Sequence, residues 1–309
     1  MRLVGLLGAW LAGGTALAAA MGWVGAVWGW ADAINHFAPI WLALAVIGAV
    51  LCLAGLDGPA RAMMLAGAGV AILAWGTPIA LEARAAARER VTGPATVTIL
   101  SLNRWWDTPH TAQEAAVIRG SGADLVALQE ANGFETAAQG LKDAYPFQFF
   151  CGKDCDTVIL SKLPFLGSGR GGKDGQHRRG NFLWVQVQAP DGKPMTLATT
   201  HLYWPIPPWI QRNQRARVVE MVRGFAGEDL VLTGDFNLTP WSFAMRGFDR
   251  ALAPLTRRSH GLLTWPATAP LPILALDEVF ATPAWKTVFI RRMPRAGSDH
   301  YPVLIGLRR

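Results

Sequence analysis

One short apolar run after another in the C-terminal two thirds of this chain ends in a carboxylate, an amide or an imidazole. Leu100-Ser101-Leu102 ends at Asn103, and Leu125-Val126-Ala127-Leu128-Gln129 ends at Glu130. Leu197-Ala198-Thr199-Thr200 ends at His201, and Leu230-Val231-Leu232-Thr233-Gly234 ends at Asp235, with Asn237 two residues on. Ala275-Leu276 leads into Asp277, and Ser298-Asp299-His300 opens the final apolar run. Groups of this kind are costly to bury without partners. Gathered at one edge of a sheet, they can share a metal ion and an anionic substrate. Any one of them alone reads as an ordinary loop residue; their recurrence at run ends carries the site reading.

In this order, Asn103, Leu-Gln-Glu130, Thr-His201-Leu, Gly-Asp235-Phe-Asn237, Asp277 and Ser-Asp299-His300-Tyr-Pro resemble the motifs of the endonuclease/exonuclease/phosphatase superfamily, which includes the DNase I-like enzymes. The resemblance covers essentially all of residues 95–309 and leaves the first 90 outside it. It implies an α/β fold, a four-layer αββα sandwich of two mixed β-sheets with the site at one end. It also implies a metal-dependent phosphoric ester hydrolase that uses water as nucleophile, so no phosphoenzyme is expected. Mg²⁺ (or Mn²⁺) would neutralise phosphoryl charge and help the leaving oxygen depart. Mg²⁺ takes oxygen ligands and keeps several waters, so one or two carboxylates suffice.

Carried over residue by residue, the resemblance makes Glu130 the first metal ligand, with Asn103 and Asp299 beside it. Asp235 would orient or deprotonate the attacking water, and Asn237 would donate an amide hydrogen to a phosphoryl oxygen. His201 and His300 would bind phosphate oxygens or move a proton, with Asp277 fixing the His300 tautomer. Lys162, after Ser161, stands where the family often has arginine and would keep the phosphate-binding charge without the bidentate fork. Glu278 follows Asp277 where the family often has histidine, and is expected to face elsewhere.

The elements that must position these residues follow from the pattern. Strands are expected at 96–102, 124–128, 157–160, 182–187, 196–200, 229–233, 276–280, 287–291 and 302–307, where apolar residues run or alternate. Helices are expected at 111–119, 134–144 and 208–225. Strands with helices between them argue for a layered α/β domain.

The front of the chain differs. The whole is 51% hydrophobic and 17% charged, and the excess is N-terminal. No charge interrupts 3–30, 39–56 or 62–81, each close to the roughly 20 residues that cross a bilayer as a helix. Residues 1–82 therefore read as a transmembrane anchor and 83–94 as a linker broken at Thr92-Gly93-Pro94, with Glu82–Arg90 as a solvated extension of the third helix. A cleaved signal peptide competes for the first run, but the apolar stretch continues to Trp30. The protein is expected to be integral to an inner or plasma membrane. The spans carry no mid-membrane charge, which argues against a transporter.

A net charge of +7 favours anionic partners, nucleic acid, phospholipid headgroups or phosphate esters, without choosing among them. With the resemblance added, a nuclease stands slightly ahead of a phospholipid phosphoesterase, and a non-catalytic scaffold of the same fold comes last. Lys162, Arg170, Lys173, His177, Arg178 and Arg179 form a glycine-laced basic stretch, read equally as a polyanion-binding loop or a solvated one. Tyr203, Trp204, Pro205, Pro207, Pro208 and Trp209 would border the site, stacking on a base or dipping into headgroups; packing under the next helix is the plainer reading. Cys151 and Cys155 stand as a short-loop disulfide or as two thiols. A disulfide would place the catalytic domain in an oxidising, extracytoplasmic compartment.

Overall fold

The computed structural model describes residues 2–106, 111–152, 155–172 and 181–309. The front of the chain is helical: α1 (Arg2–Val24), the single turn α2 (Gly29–Asp32), a 3-10 turn at Ala33–Phe37, α3 (Ala38–Gly55) and α4 (Gly58–Glu89). Leu3–Val24, Gly29–Gly55 and Gly58–Glu89 are each long and apolar enough to cross a membrane. Small residues let these helices approach closely. A Cβ on Gly5 would meet the backbone of Gly55, and one on Gly8 the backbone of Cys52, the contact type that holds membrane helices together. Leu3, Leu7, Trp10, Leu17, Leu53 and Leu73 point outward and are exposed, as lipid-facing side chains would be.

Two boundaries differ from expectation. The first helix stops at Val24 rather than Trp30, because the chain turns there into an elbow, residues 25–37, whose Asp32, Asn35 and His36 are buried. The third helix starts at Gly58 and runs to Glu89, so most of the expected linker 83–94 is helix. It is the expected helical extension, solvated on the side of Arg84 and Arg88 but docked on the side of its acids. Glu82 receives Arg257 through two hydrogen bonds of 2.7 and 2.8 Å, and Glu89 pairs with Arg258 at 2.9 Å and His260 at 3.0 Å. Of the alternating charges that suggested solvent, the acids dock the helix on the following domain and Arg84, Arg88 and Arg90 stay exposed.

That domain contains β1 (Val97–Asn103), α5 (Thr111–Ser121), β2 (Leu125–Gln129), α6 (Glu135–Gln139), β3 (Phe147–Phe150), β4 (Val158–Ser161), β5 (Phe165–Arg170), β6 (Phe182–Gln188), β7 (Pro194–His201), α7 (Pro208–Arg223), β8 (Leu230–Asp235), α8 (Phe243–Ala251), β9 (Thr256–Arg257), β10 (Asp277–Ala281), β11 (Lys286–Arg292) and β12 (Val303–Arg308). Two mixed six-stranded sheets form, in the orders β11-β12-β1-β2-β4-β3 and β5-β6-β7-β8-β10-β9. Alternation along each strand sends residues to opposite faces. Ile99, Leu125, Ile159, Val185, Leu197, Val231 and Val279 meet between the sheets. Leu100, Leu102 and Leu128 pack outward with Ile118 and Phe134, and Leu232 and Phe280 pack outward with Val222 and Phe248. The expected four-layer αββα sandwich is therefore present. The helix expected at 134–144 is one turn long, and β3, β5, β9 and α8 were not anticipated. Leu166-Gly167-Ser168-Gly169 in β5 gives little strand signal, and α8 relies on a cap from outside its own sequence, described below.

Candidate active site

Strand direction gathers the chemistry. β1 and β2 run parallel, pairing Asn103 with Gln129; β7 and β8 run parallel, pairing His201 with Asp235; β10 pairs Asp277 with Asp235. All these strands therefore deliver polar ends to one rim of the sandwich. Gly234 makes the last step possible. Its φ is +148°, and a Cβ there would collide with the Thr200 carbonyl across the β7–β8 pair. Glu130 (φ 52°), Asn237 (φ 48°) and Trp105 (φ 61°) also adopt left-handed backbone, strain of the kind that clusters at functional sites.

Asp235 is the centre. Its Oδ1 accepts the Asn237 N–H at 2.8 Å, and its Oδ2 accepts Asn103 Nδ2 at 2.9 Å and Asn237 Nδ2 at 3.2 Å. His201 Nε2 lies 3.8 Å and His300 Nε2 3.7 Å from the same Oδ2. Each imidazole is held from behind by a carboxylate at Nδ1, His300 by Asp277 at 2.8 Å and His201 by Asp156 at 2.9 Å. Burial pulls both imidazoles down, but their acidic neighbours outweigh it. His201 is held up at about 9 by Asp156, Asp235 and Glu130, and His300 at about 10 by Asp277 and Asp235. Burial pushes Asp235 up to about 6, against the pull of the two imidazoles.

Glu130 stands next to this cluster. Its Oε1 accepts Asn103 Nδ2 at 2.9 Å and lies 3.7 Å from His201 Nε2; its Oε2 accepts the Trp106 N–H at 2.9 Å. Asp299 Oδ2 accepts Trp265 Nε1 at 2.9 Å, and the adjoining Ser298 donates to the Asn103 carbonyl at 2.7 Å. Among the described residues no three His, Cys, Asp or Glu side chains form a ready cation cage. The donor set nevertheless fits a hard ion that retains its waters. The Glu130 carboxylate is 19% exposed, and the Asn103 amide nitrogen bridges Glu130 and Asp235, a position where two carboxylates call for positive charge. The Asn103 oxygen accepts the Trp105 N–H at 2.9 Å, so Asn103 could ligate only after its amide turned. Both Asn237 amide hydrogens are engaged, one by Asp235 and one by the Leu202 carbonyl at 2.9 Å. In this arrangement Asn237 orients Asp235 instead of facing substrate.

Lys162 is not brought to the site. β4 runs antiparallel to β2, with Ser161 opposite Leu125 and Val158 opposite Leu128. Lys162 therefore leaves from the far end, where its Nζ lies 5.8 Å over the Tyr145 ring and bonds the Gly122 carbonyl at 2.6 Å. Of the rest of the basic stretch, Arg170 donates to the Cys151 carbonyl at 3.2 Å, and Lys173, His177, Arg178 and Arg179 lie outside the described residues. Glu278 does face elsewhere: fully buried, it accepts from Ser259. Cys151 and Cys155 form a disulfide.

Three contributors escaped the sequence reading. Asp156 carries no motif; its position just before β4 is its only signal. Arg104, directly after Asn103, forms a buried pair with Glu114 at 2.6 Å, stacks 4.6 Å over Phe134, and donates to the Glu130 carbonyl at 3.3 Å. Trp265 lies in a loop whose tertiary partner is invisible in sequence.

No curated protein matches the chain. Among solved structures, D. rerio TDP2 complexed with a single-strand DNA product superposes with a TM-score of 0.56 at 20% identity, covering 69% of this chain and 99% of that one. An endonuclease/exonuclease/phosphatase from Beutenbergia cavernae gives 0.54 at 22% identity over 69% and 71%. Sphingomyelinase C from Streptomyces griseocarneus gives 0.50 at 18% identity over 69% and 99%. These likenesses establish the fold. The profile of the Endonuclease/Exonuclease/phosphatase family matches residues 99–300. That match spans more than half the chain and takes in every strand-end residue from Asn103 to His300, so the chain belongs to this family.

Proposed function

We propose that this chain is a membrane-anchored phosphoesterase that hydrolyses a phosphoester with water activated at Asp235, assisted by Mg²⁺ or Mn²⁺ held at Glu130. The observation that carries the reading is a buried carboxylate set between two imidazoles, each tied at Nδ1 to a second carboxylate. Asp235 Oδ2 accepts a proton as the water oxygen bonds to phosphorus and the bond to the leaving oxygen breaks. His201 and His300 present Nε2–H to the phosphoryl oxygens, where preorganised donors count most. Asp156 and Asp277 hold both rings charged and aimed. Asn103 and Asn237 keep Asp235 in place. When bound, the cation supplies charge neutralisation at the phosphate and eases departure of the leaving oxygen.

The names of the structural neighbours span both substrate classes expected from the sequence, a DNA product on D. rerio TDP2 and a sphingomyelinase. A magnesium-bound neighbour, β toxin from Staphylococcus aureus, supports the choice of ion. The nucleic-acid reading loses one of its supports with Lys162, while the spans keep the site beside lipid. The Cys151–Cys155 bond supports an oxidising, extracytoplasmic setting for the domain; a mass shift on alkylation only after reduction agrees with it, and alkylation of the native protein would not.

The test is metal removal. The full chain in lipid nanodiscs is offered bis-p-nitrophenyl phosphate, plasmid DNA, RNA and phospholipid vesicles. Turnover that EDTA abolishes, Mg²⁺ or Mn²⁺ restores, and Glu130→Gln makes dependent on higher metal concentrations supports the proposal. Turnover indifferent to EDTA would remove the metal from it.

A further inference from the structure

An apolar cavity of about 310 Å³ lies between the membrane bundle and the catalytic cluster. The elbow between the spans contributes Ala33, His36 and Phe37; the loop after His201 contributes Trp204 and Ile206; Asn237 belongs both to this lining and to the Asp235 cluster. The size lies near the lower end of small-molecule pockets, about 300–1,000 Å³. The elbow is anchored to the Asn237 loop rather than resting on it. His36 Nδ1 accepts the Thr239 N–H at 3.2 Å, and Trp241 Nε1 donates to the His36 carbonyl at 2.9 Å.

Those contacts leave one polar group unanswered. Since Nδ1 accepts a backbone N–H, the neutral ring carries its proton on Nε2. His36 is 4% exposed and its Nε2 has no partner. A buried donor left unpaired is costly, and an acceptor oxygen in the cavity it lines would satisfy it. Phe37, Trp204 and Ile206 are 40%, 53% and 43% exposed. Phe37 is the last residue of the elbow, directly before α3, and in a membrane-crossing bundle this edge of the cavity would face the interfacial level, where aromatic side chains gather.

We infer that the cavity receives the hydrocarbon portion of a membrane-borne phosphoester. An ester or ether oxygen takes the His36 Nε2–H, and the phosphate reaches the Asp235 cluster by way of Asn237. The inference rests on the phosphoesterase reading above and assigns its substrate class: an amphiphile that enters from the lipid surface. A polynucleotide offers charged sugar-phosphate where this lining offers Ala33, Phe37 and Ile206.

The experiment has two arms, both on the full chain in phosphatidylcholine nanodiscs with Mg²⁺. The first compares methyl and octyl p-nitrophenyl phosphate, which share a leaving group. The expected octyl-to-methyl ratio of kcat/KM is about tenfold or more, what burial of only two methylenes would give. Ala33→Trp, which fills the cavity, should collapse that ratio toward one, a change that partitioning into the bilayer alone would not produce. The second arm photolabels with octylphosphonate bearing a terminal diazirine and maps the adducts. Adducts at Phe37, Trp204 or Ile206 that Ala33→Trp abolishes support the inference even without turnover. Equal turnover of both esters would overturn it while leaving the hydrolase intact. Adducts confined to lipid-facing positions of the spans, or displaced by a single-stranded oligonucleotide, would also overturn it. Absence of turnover with cavity labelling retained would instead count against the hydrolase reading.

Discussion

Asp235 and the two imidazoles fix how the rate should depend on pH. The carboxylate, pushed up by burial to about 6, must be ionised to take a proton, so kcat/KM should rise with pH through that region. His201, held at about 9 by Asp156, Asp235 and Glu130 against the pull of burial, must keep its proton to face a phosphoryl oxygen, so the rate should fall again above it. A bell-shaped profile of kcat/KM on a small phosphodiester checks both limbs; a profile flat from pH 5 to 10 would contradict the assignment. The strand-end residues were legible because an apolar run that stops at Glu, His or Asp places that group at a rim. Lys162 was misplaced because the same run does not say which end of the sheet it leaves from: β4 points its C-terminus away from Glu130. Asp156 was missed because its partner, His201, is 45 residues on.

At the scale of elements, the short helix α8 depends on a residue more than 200 positions away. Ser242 caps Met245 locally, but the free N–H groups of Phe243 and Ala244 are taken by Asp32 at 2.9 and 2.8 Å. A carboxylate there also meets the positive end of the helix. Asp32→Ala should lower stability by about 1–2 kcal/mol, the worth of an N-cap, read as a fall in the thermal midpoint of the nanodisc-bound chain; an unchanged midpoint would remove Asp32 from the joint. α4 docks through its own charges. Burial lowers the His260 imidazole, but Glu82 and Glu89 outweigh it and hold it at about 9. A group raised in this way contributes its full stability below its unfolded value of about 6.5 and loses it as pH climbs through about 9. Burial also pushes Glu278 up to about 8, which favours the protonated, lower-pH state as well. The thermal midpoint should therefore fall between pH 7 and pH 10, and fall less in His260→Gln; equal slopes in the two proteins would rule His260 out as the source. None of this was legible in the alternating charges of 82–90, because periodicity distinguishes a charged helix face from an apolar one but not a docked face from a wet one.

At the scale of the whole molecule, the elbow and α4 grip the catalytic domain from two sides, through Asp32 and His36 at one joint and Glu82 and Glu89 at the other. Trp75 of α4 packs in one cluster with Trp241 and Ala275 of the catalytic domain. The alternating directions of α1, α3 and α4 bring the elbow and the C-terminal end of α4 to the same end of the bundle, which is what allows both to touch one domain. The sandwich and its rim could be read from strand ends and order; the joint could not, since it is made by residues whose partners belong to the other half of the chain. The helical front of the chain therefore bears directly on the loop that carries Asn237, and the role of Asp235 is best tested on the intact protein. The measurement is the Mg²⁺-dependent rate of bis-p-nitrophenyl phosphate hydrolysis by the full chain in nanodiscs, wild type against Asp235→Asn. The variant is expected to fold with the wild-type thermal profile within a few degrees and to lose about 10²-fold or more in kcat, the contribution of a positioned general base. Asp235→Asn hydrolysing the ester at the wild-type rate would contradict that role.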